Sequence, residues 1–309
     1  TCEESTPRLW AGNGTGAFTA VAAPPAAGSA HRFADLIGDR RLELLAANGS
    51  TLELWRLESG AWTQVGEVPL RNVGFDVDHL AVGDLEGDGD LDAFASSAGG
   101  NTLVRAGKLG LRSVDPARYR LPRTARALTF VDYDNDGDTD AHLMPQGLYE
   151  WRKGRFRRTR DLDYGRTDLA YAIDNWIDLD MDGRREPLTA RGRDEFASNQ
   201  TVELRRNNVK GTGHWLQLDL RGPAGNAQAI GASAKVRAGK RWVYGWVGQN
   251  DDSRHSSGHY RLYFGLGDER RIDKLVVTWP DGSRRRLRDL RADRLLRISA
   301  AGRVRTIRP

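Results

Sequence analysis

Acidic side chains alternate through the segment VDYDNDGDTDAHL, residues 131–143. Counted from the first aspartate, carboxylates occupy positions one, three, five, seven and nine, as Asp132, Asp134, Asp136, Asp138 and Asp140. Side chains at positions one, three and five can converge on one centre, and glycine at position six permits a sharp turn. Position seven can offer its carbonyl, and the carboxylate at position nine closes the site. The first nine positions of an EF-hand calcium loop use oxygen ligands in this way.

Calcium is the cation that this donor set favours. Six or more hard oxygen donors in a flexible loop suit Ca²⁺ better than Mg²⁺, which demands a smaller octahedron and keeps its waters. Zinc is disfavoured because no histidine or cysteine ligands lie nearby. The alternative is a solvated acidic turn without an ion. Repetition of the loop along the chain argues against that alternative.

The acidic loop recurs four times. The loops start at Asp35, Asp84, Asp132 and Asp178, so the intervals are 49, 48 and 46 residues. The second loop offers Asp84, Glu86, Asp88, Asp90 and Asp92. The fourth offers Asp178, Asp180, Asp182, Arg184 through its carbonyl, and Glu186. We predict calcium in the second, third and fourth loops.

The first loop departs from the pattern. Ile37 stands at position three and Arg40 at position six, so that only Asp35, Asp39 and Glu43 remain acidic. We predict that this loop binds no metal. We expect the guanidinium of Arg40 or Arg41 to supply the positive charge instead.

The elements that carry these loops read as short strands. Each loop lies between apolar segments, and a Gly-containing turn and a further strand follow it, as in LELWRLESGAWTQV (52–65) and LYEWRKGRFRRTR (148–160). Units of this length suit the four-stranded blades of a β-propeller. Further downstream, HWLQLDL (214–220) alternates as a half-buried strand does, and Pro280-Asp281-Gly282 predicts a turn. We therefore predict an all-β protein with a calcium-binding propeller of about five blades over residues 1–210 and a small β-sandwich over 211–309.

Two resemblances support this division. The acidic loops resemble the FG-GAP/VCBS repeats of integrin α-subunit propellers and of many bacterial surface proteins. Three segments, NAQAIGA (226–232), FGLG (264–267) and VTWPDG (277–282), are similar to the ASPIC/UnbV C-terminal domain. Together they resemble bacterial relatives of cartilage acidic protein, which implies a propeller joined to a transthyretin-like β-sandwich. QNDDSRHSSGHY (249–260) departs from the Gly/Ser/Gln-rich stretch that precedes FGLG in that family.

Charge is distributed unevenly along the chain. Of the 47 basic residues 41 are arginines, and residues 284–308 hold ten arginines against two aspartates. Codon bias accounts for the arginines in one interpretation, and a face for acidic polysaccharide or lipopolysaccharide in the other. We expect no nucleic-acid partner, because no aromatic residues interleave the basic stretch.

Several features bear on location. No apolar run approaches the 18 residues of a membrane span. Cys2, the single cysteine, is compatible with a bacterial lipid anchor or with an unimportant terminal residue. Calcium modules of modest affinity work where calcium is abundant. We therefore expect a secreted, periplasmic or outer-surface protein.

Recognisable catalytic motifs are absent from the sequence: it contains no G-x-S-x-G, phosphate-binding glycine loop or H-E-x-x-H. His255 and His259 are close in sequence, and with Asp251 or Asp252 form at most a minor transition-metal hypothesis. We expect an exported, calcium-stabilised binding or adhesion module with a protein or glycan ligand. The alternative is a propeller enzyme acting on a carbohydrate or a hydrophobic small molecule.

Overall fold

The computed structural model describes residues 8–308 except 14–15, 25–27, 72, 74–76, 98, 160–161, 163–170, 193–200 and 249–258. Within that part of the chain the regular structure is all-β apart from one short 3-10 helix, Pro116–Tyr119. Cys2, His255, Asp251 and Asp252 lie outside the described residues.

Three four-stranded antiparallel sheets follow one another, and each is a simple meander. The first holds β3 (Ala30–Ala34), β4 (Glu43–Asn48), β5 (Thr51–Glu58) and β6 (Ala61–Pro69). The second holds β7 (His79–Gly83), β8 (Asp92–Ser96), β9 (Asn101–Arg105) and β10 (Arg112–Val114). The third holds β11 (Ala127–Val131), β12 (Asp140–Met144), β13 (Gly147–Arg152) and β14 (Arg155–Arg158). This is the meander of propeller blades, and we call the sheets blades 1, 2 and 3.

Two smaller sheets flank the three blades in sequence. A hairpin joins β1 (Leu9–Gly12) to β2 (Phe18–Val21), and blade 4 holds β15 (Tyr171–Ile177), β16 (Glu186–Gly192) and β17 (Thr201–Leu204). The first strands of successive blades contact one another, β3 with β7, β7 with β11, and β11 with β15. Blades that meet along their first strands are arranged around a common axis, as in a propeller. The predicted count of about five blades matches the five sheets of this half, and how the ring closes is not tested.

The cores lie between blades. One cluster joins blades 1 and 2, a second joins blades 2 and 3, and a third joins blades 3 and 4. A single blade cannot bury both of its faces, so each depends on its neighbours for its apolar contacts. The acidic loops are the turns between the first and second strands of each blade. All four loops therefore emerge at the same end of the stack.

The C-terminal part consists of two further four-stranded sheets. Sheet I is ordered β21 (Leu262–Gly267), β18 (His214–Arg221), β24 (Arg294–Ser299) and β25 (Val304–Arg308). Sheet II is ordered β20 (Arg241–Trp246), β19 (Ser233–Ala238), β22 (Arg271–Thr278) and β23 (Arg284–Arg291). Leu216, Leu218 and Leu220 of sheet I share one core with Val236 and Leu275 of sheet II. The two sheets therefore pack face to face, and the alternation in HWLQLDL correctly predicts the buried face.

Candidate functional site

The four acidic loops share one hydrogen bond that closes them. In each, the carboxylate at position nine accepts the backbone N–H of position two. The donor–acceptor pairs are Leu36–Glu43 at 3.0 Å, Leu85–Asp92 at 3.1 Å, Tyr133–Asp140 at 3.4 Å and Leu179–Glu186 at 3.1 Å. Because this contact uses one oxygen, the other oxygen of the same carboxylate remains for a further partner.

The turn residue at position six is equally constant. Gly89, Gly137 and Gly183 have φ of 95°, 85° and 96°, and each donates its N–H to the first aspartate of its loop. In the first loop Arg40 takes the same conformation, with φ of 70°, and donates to Asp35 at 2.8 Å. Positive φ is strained for a side-chain-bearing residue. The first loop therefore keeps the backbone path although it has lost the glycine.

Three carboxylates converge in the third loop. Asp132, Asp134 and Asp136 each place an oxygen within 4.8 Å of the others. With calcium–oxygen distances of about 2.3–2.6 Å, two ligands on opposite sides of one ion lie at about that separation. Asp132 Oδ1 is buried and makes no hydrogen bond. Among the described residues no arginine or lysine forms a salt bridge with the carboxylate of Asp132, Asp134 or Asp136. The donor set therefore fits a bound cation.

The fourth loop has a similar cluster. Asp178, Asp180 and Glu186 place their oxygens within 4.8 Å of one another. Glu186 is only 4% exposed, and its Oε1 has no hydrogen-bond partner. Arg206 contacts Asp180 from the surface, at 2.9 Å. An unpartnered buried carboxylate oxygen is costly, so this cluster also fits a cation.

The electrostatics of the third loop follow from burial. Burial, followed by the charge of Asp136, raises the pKa of Asp134 to about 6. Burial also raises the pKa values of Asp132 and Asp140 well above the ordinary range, and the neighbouring aspartates add to the shift. Ionising these groups therefore costs free energy in the folded loop. A cation between them removes that cost.

The second loop already contains a cation. The Arg105 side chain is 4% exposed, and its Nε donates to Asp92 Oδ1 at 3.0 Å. The same guanidinium pairs with Glu86. The carboxylates of this loop do not form a cluster like those of loops three and four, within the part of the chain that the structure describes. Our prediction of calcium here is not tested, and the geometry favours the guanidinium.

The first loop contains a cation as well. Arg56 pairs with Glu43, and with Asp39 at 3.1 Å. Arg41 instead pairs with Glu58 at 2.6 Å. The prediction that an arginine contacts these acids is therefore right, but the residues that we named, Arg40 and Arg41, are wrong. Asp35, Asp39 and Glu43 still lie close enough together to hold a metal, so the predicted lack of metal in this loop is not tested.

The register of the third strand explains which loops contain an arginine. In each blade one residue of the third strand, or one just after it, lies opposite the acid at position nine. The pairs follow from the printed registers as Glu43–Arg56, Asp92–Arg105, Asp140–Glu150 and Glu186–Arg206. Blade 3 alone among these four has an acid at this position, and Glu150 adds to the negative charge around Asp134. The third loop therefore has the strongest demand for an external cation.

Loops three and four also form the junction with the C-terminal sheets. Gly213 and Gly267 donate backbone N–H groups to the carbonyls of Asp134 and Asn135, at 2.8 and 2.9 Å. Gln217 of β18 donates to Asp178, the first aspartate of loop four. A Cβ on Gly265 would lie 1.9 Å from Asp132 Oδ2, so this close approach requires glycine. Any ion in these loops therefore lies next to the junction.

A buried cluster between blades 3 and 4 was not evident from the sequence. His142 Nδ1 lies 2.6 Å from Asp174, and both side chains are fully buried. Thr129 and Trp176 donate to the same carboxylate, at 2.9 and 3.1 Å. Both aspartate oxygens are thus satisfied inside the protein. His259 contacts the Trp176 carbonyl at 3.0 Å across the junction, where it has a packing role.

The fold and loops define a class of protein: an all-β chain with repeated four-stranded blades, each bearing an acidic turn at one end. A sequence model of the FG-GAP-like repeat matches residues 35–95, and one described as ASPIC and UnbV matches residues 222–304. The chain therefore contains FG-GAP-like repeat sequence followed by an ASPIC and UnbV domain, as the resemblances implied. No curated protein matches the chain.

Solved structures give only distant similarities. An Agrocybe aegerita lectin, described as recognising non-reducing terminal N-acetylglucosamine, is 18% identical over 57% of this chain and 51% of its own, with a TM-score of 0.37. The V. cholerae biofilm matrix protein Bap1 is 14% identical over 96% of this chain and 52% of its own, also at 0.37. This chain thus spans about half the length of these two proteins. TM-scores this low carry no argument about function.

Proposed function

We propose that this chain is an exported binding or adhesion module whose blades are stabilised by calcium, with a protein or glycan partner. Loops three and four hold one Ca²⁺ each, and the ion is structural. Asp132, Asp134, Asp136 and Asp140 serve the first ion, and Asp178, Asp180, Asp182 and Glu186 the second, with carbonyls of Asp138 and Arg184. In loop two, Arg105 takes the place of the calcium that the sequence predicts.

One observation carries the calcium proposal. Two loops bring three carboxylates together and keep a buried, unpartnered oxygen, Asp132 Oδ1 or Glu186 Oε1. The other two loops bring in a buried guanidinium of their own blade. The same site is thus neutralised internally in one pair of blades and lacks a buried cation in the other. An ion from solution supplies what that pair lacks.

Structural rather than catalytic use follows from the donor count. Each loop has enough carboxylates and carbonyls to surround one ion, which leaves no position for a substrate. Calcium that binds only the folded chain stabilises it by mass action, about 2.7 kcal/mol per site at a hundredfold excess over Kd. Bound calcium would also order the loops that contact the C-terminal sheets.

The location and domain boundaries are part of the same proposal. In the part of the chain that the structure describes, no helix has the length and apolar content needed to cross a bilayer. Loops of this kind are useful where calcium is plentiful, so we place the protein in the periplasm, at the cell surface or in the medium. We propose domains over 1–210 and 211–309, and the core that contains only residues between Leu216 and Ile298 supports them.

The enzyme alternative finds less support. A cavity of about 290 Å³ lies between blades 3 and 4, beside Trp176 and Arg205. Its described lining residues are apolar, amide or basic side chains and include no carboxylate. The nearby His142–Asp174 pair is fully buried, so neither group can touch a substrate. A hydrolytic acid–base pair is therefore not assembled at this cavity.

Calorimetry and thermal melts test the calcium proposal. We expect two calcium ions to bind per chain and the melting temperature to fall in EGTA, whereas magnesium restores little of the loss. Paired variants Asp132→Asn/Asp134→Asn and Asp178→Asn/Asp180→Asn should each remove one ion. An unchanged melt in EGTA would refute structural calcium. A screen of glycans and envelope proteins with and without EGTA then tests the binding role.

A further inference from the structure

The outward face of sheet II combines residues that are distant in sequence. Ala234, Val236, Leu275 and Val277 point into the sandwich core, so the alternate residues of the same strands point outward. Read from β20 to β23, the outward rows are Trp246, Ser233, Thr278 and Arg284; Tyr244, Lys235, Val276 and Arg286; and Trp242, Arg237, Lys274 and Arg288. One face thus holds six cationic side chains and three aromatic rings.

This arrangement corrects a premise of the sequence analysis. The arginine-rich stretch lacks aromatic residues in sequence, but the sheet places an aromatic strand, β20, and an arginine strand, β23, on the same face. Lysines from the two strands between them join the two sets. We define the basic face as Trp242 with Lys235, Arg237, Lys274, Arg284, Arg286 and Arg288.

The cations of the basic face have no acidic partners. Lys235, Arg237, Arg284, Arg286 and Arg288 are exposed, and Lys274 is half-buried. Among the described residues, none of the six forms a salt bridge with a carboxylate. Like charges on adjacent strands repel and destabilise a sheet. An anionic ligand that bridges them offsets this cost.

Trp242 supplies a stacking surface in the middle of these charges. Lys235 Nζ lies 5.0 Å and Lys274 Nζ 5.9 Å from its ring centroid, within the range of cation–π attraction. The ring is half-buried, so part of it faces solvent. Tyr244 packs on Gly89 and Trp246 on the core of blades 1 and 2, which covers that end of the aromatic column. One aromatic ring therefore remains open.

The dimensions suit an extended polymer. Same-face residues on one strand are about 6.6 Å apart, and neighbouring strands about 4.8 Å. The three arginines of β23 thus form a row roughly 13 Å long, and the four strands give a width of about 14 Å. A single small anion would contact only part of this surface. A chain with repeated negative charges can follow it.

The number of open rings decides between two polymers. Single-stranded nucleic acid is bound by successive aromatic platforms on which consecutive bases stack. The basic face offers one such ring. A sugar ring can pack on Trp242 while the acidic groups of the neighbouring sugars meet the cations, for which guanidinium provides paired donors to carboxylate or sulfate.

We propose that the basic face binds acidic polysaccharide, a linear glycan that carries carboxylate or sulfate groups. This deepens the proposed function and rests on it for the extracellular setting. Lys235, Arg237, Lys274 and the arginines of β23 contact the anionic groups, and Trp242 packs against a sugar ring. The calcium loops take no part in the contact.

Binding to immobilised glycans tests the proposal with the full chain. The probes are hyaluronan, which carries only carboxylates, heparin, which adds sulfates, neutral dextran and a short oligothymidylate. We expect hyaluronan and heparin to bind, more weakly as salt rises, and dextran and oligothymidylate not to bind. If oligothymidylate binds more tightly and depends on the same residues, the face is a nucleic-acid site and the proposal fails.

Matched variants locate the site. Arg286→Glu/Arg288→Glu should weaken glycan binding roughly tenfold or more, because two attractions become repulsions. Arg155→Glu/Arg157→Glu makes the same change of charge on exposed β14 and should leave affinity within about twofold. Trp242→Ala keeps the charge and should weaken binding about fivefold. Equal losses in both charge-reversal pairs would mean attraction by net charge alone and would overturn the proposal.

Two controls separate this proposal from the calcium proposal. Melting curves of each variant show whether it is folded. Glycan binding is measured in calcium and in EGTA at a temperature where both forms are folded, and it should persist in both. If calcium has no effect on the melt while the basic-face variants lose glycan, the calcium proposal fails and this one stands. If calcium stabilises the chain but no acidic glycan binds, the reverse holds.

Discussion

Blades 2 and 3 bear almost the same acidic loop and neutralise it differently. DLEGDGDLD in blade 2 and DYDNDGDTD in blade 3 both place acids at positions one, three, five, seven and nine, and glycine at six. In blade 2 a buried arginine, Arg105, contacts the ninth residue, whereas in blade 3 the equivalent residue is Glu150. The demand for metal therefore depends on a residue of another strand, outside the loop.

The largest effect is expected from removing the cation of blade 2. Arg105→Ala leaves Asp92 and Glu86 without their buried partner, and breaking a buried pair typically costs about 3–5 kcal/mol. We expect a loss of that order in urea unfolding in EGTA. Millimolar calcium should recover much of it, because the loop then resembles that of blade 3. Lys108→Ala, on the exposed loop before β10, is the control and should change little. A small loss, or no recovery by calcium, would contradict the equivalence of guanidinium and ion.

The converse change is expected to remove a metal site. Glu150→Arg places a guanidinium opposite Asp140, so that blade 3 becomes like blade 2. Calorimetry should then show one calcium ion fewer per chain, and the melting temperature should depend less on EGTA. Glu150→Gln removes the charge without adding a cation and should keep the ion. Loss of the ion in both variants would mean that Glu150 itself is needed as a ligand.

The pH dependence of the calcium effect sharpens the comparison. Asp134 has its folded pKa raised from 3.8 to about 6 by burial and by Asp136. Without calcium, the folded chain therefore binds the proton more tightly than the unfolded chain, and this contribution to stability is lost as pH rises from about 4 through 6. Calcium competes with that proton. Its stabilising effect on the melting temperature should be clearly larger at pH 7.5 than at pH 5. An equal effect at both values would contradict ionised aspartates as the ligands.

The smallest effect is expected in blade 4. Arg206 contacts Asp180 from the surface, with 66% of its side chain exposed. Exposed pairs contribute up to about 1 kcal/mol, so Arg206→Ala should raise calcium affinity by about fivefold at most. Weaker binding after this change would show that Arg206 supports the site. Titration of Arg206→Ala alongside Glu150→Gln compares the two blades directly.

Much of the loop geometry could be predicted from residue spacing. Alternating acids with glycine at position six correctly predict a turn between two strands, because positive φ at position six is needed in all four loops. The role of Arg56 and Arg105 could not be predicted, since each lies 13 residues beyond the acid that it contacts. Only the pairing of the second and third strands brings the two together. Arginines are also so frequent in this chain that composition gives no signal at these positions.

The basic face was hidden for a related reason. Its aromatic and cationic residues come from four strands between Ser233 and Arg291, and each strand contributes only every second residue. The sequence predicts the strands and their buried alternation. Strand order within a sheet decides which outward residues meet, and sequence periodicity carries no information about that order.

The register between the second and third strands also has a consequence for how such repeats diverge. After a repeat is duplicated, one codon at this strand position converts a blade that matures anywhere into one that matures only where calcium is supplied. Folding in a calcium-poor compartment and rigidity after export can thus be assigned blade by blade. In this chain the conditional blades are those that contact the C-terminal sheets, so the last step of assembly is the one that calcium controls.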